Sequence, residues 1–177
     1  MKAKPYSLDS EKVKAETFRL LKERGIDIRE VAELVLFLQK DYFPDLTMQE
    51  CEQSIERVLN KREVQNAILT GIQLDILAEQ NALIPALQEM IEHDEGLYGV
   101  DEILALSIVN VYGSIGFTNF GYIDKMKPGI LVKLNDKTDQ PIHTFLDDIV
   151  GAIAAAASSR IAHRKQEERE TQTTDDI

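Results

Sequence analysis

Acidic residues stand at the edges of the most apolar stretches in the second half of this chain: Asp101-Glu102, then Asp124, then Asp147-Asp148. A carboxylate beside a core-forming segment is costly to bury unless something cationic meets it. Recurring within 101–163, these groups suggest one shared site, and a divalent metal would satisfy them together. Between them lies Asp124-Lys125-Met126-Lys127-Pro128, which brings two ammonium groups into the same region.

Each acid also has a plain structural role open to it. Thr144 and Asp147 fit [ST]-x-x-[DE], the capping box of a helix start. Asp148 then falls in the first turn, where the helix dipole favours any acid. Asp101 could be an N-cap with Glu102 behind it, and Asp124 could pair with Lys127 at i,i+3. These roles suffice one at a time. They do not explain why all three groups flank the most apolar helices of the chain.

The elements that must position them are helical. Leu, Ala, Glu, Lys and Gln dominate long stretches, and Gly and Pro number only 9 and 5. A first helix is predicted over 10–24, stopped by Gly25. Asp27 caps a second, in which Ile28, Val31, Leu34, Val35 and Leu38 recur at helical spacing. Thr47 and Glu50 form a capping box for a third, with Met48, Cys51, Ile55, Val58 and Leu59 as its stripe. Further helices are predicted over 63–80, 85–92, 100–113, 115–134 and 144–163, the penultimate one breaking at Pro128. A polar loop spans 135–140. No strand alternation and no internal repeat stand out. The organisation expected is a single helical domain over 1–163 and a mobile, charged tail over 164–177.

Composition narrows the function classes. The 177 residues, 44% hydrophobic, suffice for one domain with a sizeable core. A formal net charge of −11 argues against nonspecific nucleic-acid binding, which relies on Lys and Arg meeting phosphates, and against simple electrostatic docking to an anionic membrane. One cysteine cannot form an internal disulfide, and no signal peptide is recognised, so the cytoplasm is the expected compartment. No stretch approaches the ~20 apolar residues needed to span a bilayer, so contact with a membrane would be peripheral, at its inner face.

Residues 99–163 resemble the conserved half of the phosphatidylglycerophosphatase A family, in particular its soluble, YutG-like bacterial branch. The matching pieces are Asp101-Glu102, Gly116-Phe117, Asp124-x-x-Lys127-Pro128 and Asp147-Asp148-Ile149-Val150-Gly151-Ala152, in order and spacing. The resemblance implies an all-α bundle of about six or more helices, with one central helix surrounded by the others. It implies a Mg²⁺-dependent phosphatase that removes the terminal phosphate of phosphatidylglycerophosphate. Mg²⁺ is hard and takes oxygen ligands, here Asp101, Glu102, Asp124, Asp147 and Asp148. Asp124, Lys127 and Asp148 are then the catalytic candidates. Lys127 would offset phosphate charge, with Lys125 and His143 as further substrate contacts. No nucleophilic side chain is evident, so metal-activated water is the expected attacker. The chain departs from the membrane-embedded members at Gly121, where they carry arginine, and at Ile130, where they carry a second proline. Its first 95 residues lack both their spanning segments and their Gly/Pro/Ser-rich motif.

Other motifs carry less. Cys51 and Arg57 have the C-x5-R spacing of cysteine phosphatases. However, two glutamates lie between them, no glycine does, and Cys51 falls on an apolar stripe. Glu30 and Glu33 form an E-x-x-E without the later E-x-x-D that all-α nucleotide pyrophosphatases use. Asp75 and Glu79 either face solvent or extend the acidic site. The small-residue run 151–159 permits close helix approach, so a homo-oligomer is expected. A non-catalytic helical scaffold retaining an ancestral metal site is the alternative to an enzyme.

Overall fold

Local capping decides where the N-terminal helices begin. In the computed structural model, which describes residues 8–136, 138 and 141–175, Asp9 opens α1 (Ser10–Glu23) by accepting the N–H groups of Glu11 and Lys12. Asp27 opens α2 (Ile28–Gln39) through the N–H of Arg29, and Gly25, at φ +77°, makes the turn between the two helices. The reciprocal Thr47–Glu50 box starts α3 (Met48–Leu59). α4 (Arg62–Glu79) follows, then α5 (Pro85–Glu92) with proline at its start, then α6 (Val100–Val109), which tightens into a 3-10 turn over Asn110–Tyr112. α7 (Ser114–Met126) and α8 (Ile130–Leu134) are separated at Pro128, as the proline predicts. α9 (Leu146–Asp175) completes the chain. No strand occurs among the described residues.

α9 is the axis of the molecule. Every residue from 145 to 159 is buried, and α2, α3, α4, α6, α7 and α8 pack around it. A helix apolar on all sides must be enclosed, and the small residues of 151–159 let its neighbours approach. Two glycines mark where such approach is tightest. A Cβ on Gly71 of α4 would lie 2.4 Å from Ile149 Cδ1, and one on Gly116 of α7 would lie 2.8 Å from Val109 Cγ1 and 3.3 Å from Ser159 Oγ. The bundle with a central helix is therefore as expected.

Where a mobile tail was expected after residue 163, α9 continues as helix. The segment is built from strong helix formers, and Arg164–Glu168 and Gln166–Glu170 pair at i,i+4. Arg164 and Lys165 also reach Glu50 of α3, at 3.1 and 3.5 Å. Residues 176–177 of the expected tail, and 137, 139 and 140 of the expected loop, lie outside the described residues. No helix of the described residues is long and apolar enough to cross a membrane.

Candidate metal and phosphate site

The start of α9 is capped from another helix. Asp75 of α4, fully buried, accepts the Phe145 N–H on Oδ1 and the Leu146 N–H on Oδ2, both at 3.1 Å. The Thr144–Asp147 box does not form. Thr144 Oγ1 instead donates to the Ile91 carbonyl at 2.6 Å, tying this turn to α5, and the Asp147 N–H goes to the His143 carbonyl. Glu79 secures the approach: it accepts the Ile142 N–H at 2.9 Å and pairs with Arg24 at 2.7 Å. With its helix capped by Asp75, Asp147 is free for other contacts. Its Oδ1 accepts the Asp148 N–H at 2.8 Å, and its Oδ2 accepts from Lys127 Nζ at 2.9 Å and Asn135 Nδ2 at 2.8 Å.

Lys127 joins three of the acids. Proline after it disfavours the right-handed helical conformation, and Lys127 adopts the left-handed one, φ +42°, as the C-cap of α7. For a residue with a Cβ this conformation is strained by ~1–3 kcal/mol. It carries the ammonium to 2.5 Å from Asp124 Oδ1, 2.9 Å from Asp147 Oδ2 and 3.5 Å from Asp148 Oδ1. Burial works against the Lys127 charge, but Asp147, Asp124 and Asp148 outweigh it and raise its pKa, so it stays protonated.

The remaining acids close the other side. α6 begins at Gly99, φ +61°, which puts Asp101 and Glu102 in its first turn rather than at its cap. One ligand atom each from Asp101, Glu102 and Asp148 lie within 4.8 Å of one another. Asp101 and Asp148 are only 5% and 6% exposed, while Glu102 opens to solvent. Burial, with Glu102 adding to it, pushes Asp101 up to about 7. Burial and the neighbouring Asp147 push Asp148 up to about 8, against the pull of Lys127. Asp147 is raised by burial as well. Asp101 Oδ1 is buried without a hydrogen-bond partner. An unpartnered carboxyl oxygen inside an all-oxygen set fits a hard divalent cation, which would supply the missing partner and offset the repulsion that disfavours the charged form.

His143 and Lys125 stand apart from this cluster. His143 lines a small cavity of about 80 Å³ with Asp147, Asn135 and Asp94. Burial and the nearby Arg24 hold its pKa below the usual histidine value, and its Nδ1 is buried unpartnered. Lys125 is exposed on the last turn of α7, one residue from Asp124 and so about 100° around the helix from it. Cys51 is buried in the core, its thiol pushed up to about 11 by burial. One contributor, Asn135, was not singled out from the sequence, whereas Asp75, expected to face solvent or extend the acidic site, is instead buried as the cap of α9. Asn135 gave no signal, being a polar residue at the edge of a polar loop. Asp75 did give one: it follows Ile68 and Ile72 on the apolar face of α4, where an acid needs a buried partner.

Residues 21–163 match the family described as Phosphatidylglycerophosphatase A. The chain belongs to this family. The match reaches back through α2–α5, beyond the segment on which the sequence resemblance rested. The chain is 70% identical to YutG of Bacillus subtilis, an uncharacterized protein, over 81% of this chain and 87% of that one. Among solved structures it is similar to the low temperature requirement C protein of Listeria monocytogenes, at 63% identity and a TM-score of 0.87, covering 89% of this chain and 99% of the other. The B. subtilis protein YpjQ is similar as well, at 53% identity and a TM-score of 0.86, covering 90% and 99%. Within this phosphatidylglycerophosphatase A member, Gly121 lies one turn before Asp124 on α7 and is exposed.

Proposed function

We propose that this protein is a Mg²⁺-dependent phosphatase acting on a phosphate monoester, and that its substrate is phosphatidylglycerophosphate, converted to phosphatidylglycerol. The observation that carries the reading is the Asp101–Glu102–Asp148 oxygen set, with its unpartnered Asp101 oxygen, beside an ammonium engaged by three carboxylates. Asp101, Glu102 and Asp148 would hold the cation, with Asp124 and Asp147 alongside. When bound, such a cation polarises a phosphoryl oxygen and makes water a better nucleophile.

The chain's own groups do the rest. Lys127, held charged, draws the phosphate dianion to the mouth of an otherwise acidic site and offsets the charge that develops on it. Asp147 orients Lys127, and Asn135 orients Asp147. His143, its pKa held below the usual value, stands apart from the acids as a neutral group in the small cavity that Asp147 also lines. Without a membrane-crossing helix among the described residues, the lipid head group is met from the water side of a bilayer, with cation and phosphate between the acidic protein and the anionic surface. The family description supports the lipid substrate.

The test is phosphate release with and without Mg²⁺, comparing phosphatidylglycerophosphate in mixed micelles with soluble phosphate monoesters, for the wild-type protein and Asp148→Asn. Mg²⁺-dependent release from the lipid, absent in Asp148→Asn, is expected. Turnover of soluble esters alone moves the substrate assignment, and turnover unaffected by EDTA removes the metal.

A further inference from the structure

The far end of α9 is chemically the opposite of its start. Arg160 lies twelve residues beyond Asp148 and Arg164 one turn further. At ~1.5 Å per residue this places Arg160 roughly 18 Å along the helix from the acids. α3 faces the two arginines with Gln53, Glu56, Arg57 and Asn60, whose i, i+3, i+4, i+7 spacing puts them on one helix face. These six residues line an open cavity of about 480 Å³.

Its charge runs against that of the molecule. On a chain of net charge −11, this cavity gathers three guanidinium groups against one carboxylate. Among the described residues, Arg57 and Arg160 have no ion pair within salt-bridge distance. The polar contact of Arg160 is Ser54 Oγ at 3.5 Å, too long to hold a guanidinium strongly. Arg164 is already engaged, by Glu50 at 3.1 Å and, through its Nε, by Glu168 at 3.5 Å, so it borders the cavity as a paired guanidinium. Lys61 is close to this end of the bundle, 5.3 Å from the ring of Tyr112, whose hydroxyl is buried unpartnered and feels Arg160. Unpaired guanidinium groups match phosphate oxygens bidentately and are weakly hydrated, so they give up water readily to such a ligand. Gln53 and Asn60 add neutral donors. No aromatic ring lines the cavity, so it offers nothing on which a base would stack.

We propose that the α3–α9 cavity is a second anion site, separate from the acidic one, which binds a small diphosphate through Arg57 of α3 and Arg160 of α9, with the ion-paired Arg164 at its edge. Guanidinium groups on two facing helices can engage two phosphoryl groups at once, which a single small anion does not offer. Pyrophosphate is the simplest ligand of this class.

The experiment is thermal melting and calorimetric titration of the full chain in phosphate-free buffer with EDTA, using sodium pyrophosphate, with sodium sulfate at matched ionic strength as control. Saturable binding with a raised Tm is expected, intact in Asp148→Asn. In Arg57→Gln/Arg160→Gln the Kd should rise at least about tenfold, since each lost charge-assisted bond is worth that or more. Both residues are at least partly exposed, so the fold should survive; if the double variant melts early without ligand, Arg57→Gln alone makes the same test. A response reproduced by sulfate, retained in the arginine variants, or lost in Asp148→Asn would overturn the proposal. ADP binding tighter than pyrophosphate would overturn recognition by phosphate alone.

Discussion

Asp75 caps a helix to which it does not belong: its carboxylate accepts the N–H of Leu146, the first residue of α9, as well as that of Phe145. Burial pushes this carboxyl up to about 8, although the two backbone N–H groups and Arg24 favour its charged form. The folded-state pKa lies above the ordinary carboxylate value, so the folded protein holds a proton that the unfolded chain has released. Stability is therefore full below about pH 4 and falls as pH rises towards about 8. Asp148 and Asp101, raised to about 8 and about 7, act in the same direction. Urea denaturation in EDTA should show lower stability at pH 8 than at pH 5, with a shallower slope in Asp75→Asn. Asp75→Ala, which orphans two buried N–H groups, should cost about 1–3 kcal/mol for each.

Asp148→Asn should leave the metal-free protein about as stable as before at neutral pH, where the raised carboxyl already holds a proton, and slightly more stable above about pH 8, where its charge is repelled by Asp147, Asp124 and Asp101. Stabilisation by Mg²⁺ and turnover should vanish together. Melting with Mg²⁺ against EDTA reads the first and phosphate release the second. A normal Mg²⁺ response in this variant would return Asp148 to the role of an ordinary first-turn acid.

Lys127→Met separates charge from metal. The ammonium now neutralises Asp124, Asp147 and Asp148, so its loss leaves three carboxylates facing one another. The metal-free variant should melt lower, Mg²⁺ should bind at least as tightly by calorimetry, and turnover should fall by ~10²–10³, the scale for removing one preorganised charge-stabilising donor. Unchanged turnover would remove Lys127 from the phosphate.

Gly121→Arg restores the side chain that the membrane-embedded relatives carry. A Cβ at Gly121 meets nothing within 4 Å, and glycine inside a helix costs ~0.5–1 kcal/mol relative to alanine, so the variant should fold and be no less stable. If the added guanidinium reaches phosphate, KM for the ester should drop several-fold with kcat little changed. A KM equal to wild type would show that Lys127 already supplies what the arginine provides elsewhere.

Cys51→Ser should keep full turnover. The thiol is buried and pushed up to about 11, so it is not a nucleophile at neutral pH. The cost should appear in stability, about 1–3 kcal/mol for a buried hydroxyl lacking a good partner, and is read by urea denaturation beside the activity assay.

Much of this architecture was legible because its signals are local. Asp27, the Thr47–Glu50 box, Gly25 and Pro128 each act within one turn of the chain, and each operates where the sequence places it. The Thr144–Asp147 pattern failed because tertiary partners out-competed it: Ile91 took the hydroxyl and Asp75 took the amides. Periodicity cannot express such a substitution, since Asp75 and Leu146 are brought together only by packing. Asp124, Lys127, Asp147 and Asp148 do converge, and Asp101 with Glu102 approaches Asp148. Lys125 does not join them, because residues adjacent on a helix point in different directions. Asn135 was missed because its role exists only once α8 and α9 meet.

The enclosure of α9 has a kinetic side. Amide protons exchange with solvent only when the backbone around them opens, and a segment surrounded by six other helices has few partial openings short of unfolding the whole domain. Residues 149–159 should therefore be the slowest-exchanging stretch of the chain in deuterium labelling. Asp147 and Asp148 are mounted at the root of that stretch, and Glu102, at the start of a shorter and more exposed helix, is not. Of the three carboxylates in the oxygen set, Asp148 is thus anchored to the stiffest part of the molecule, while Glu102 sits exposed on the first turn of a shorter helix.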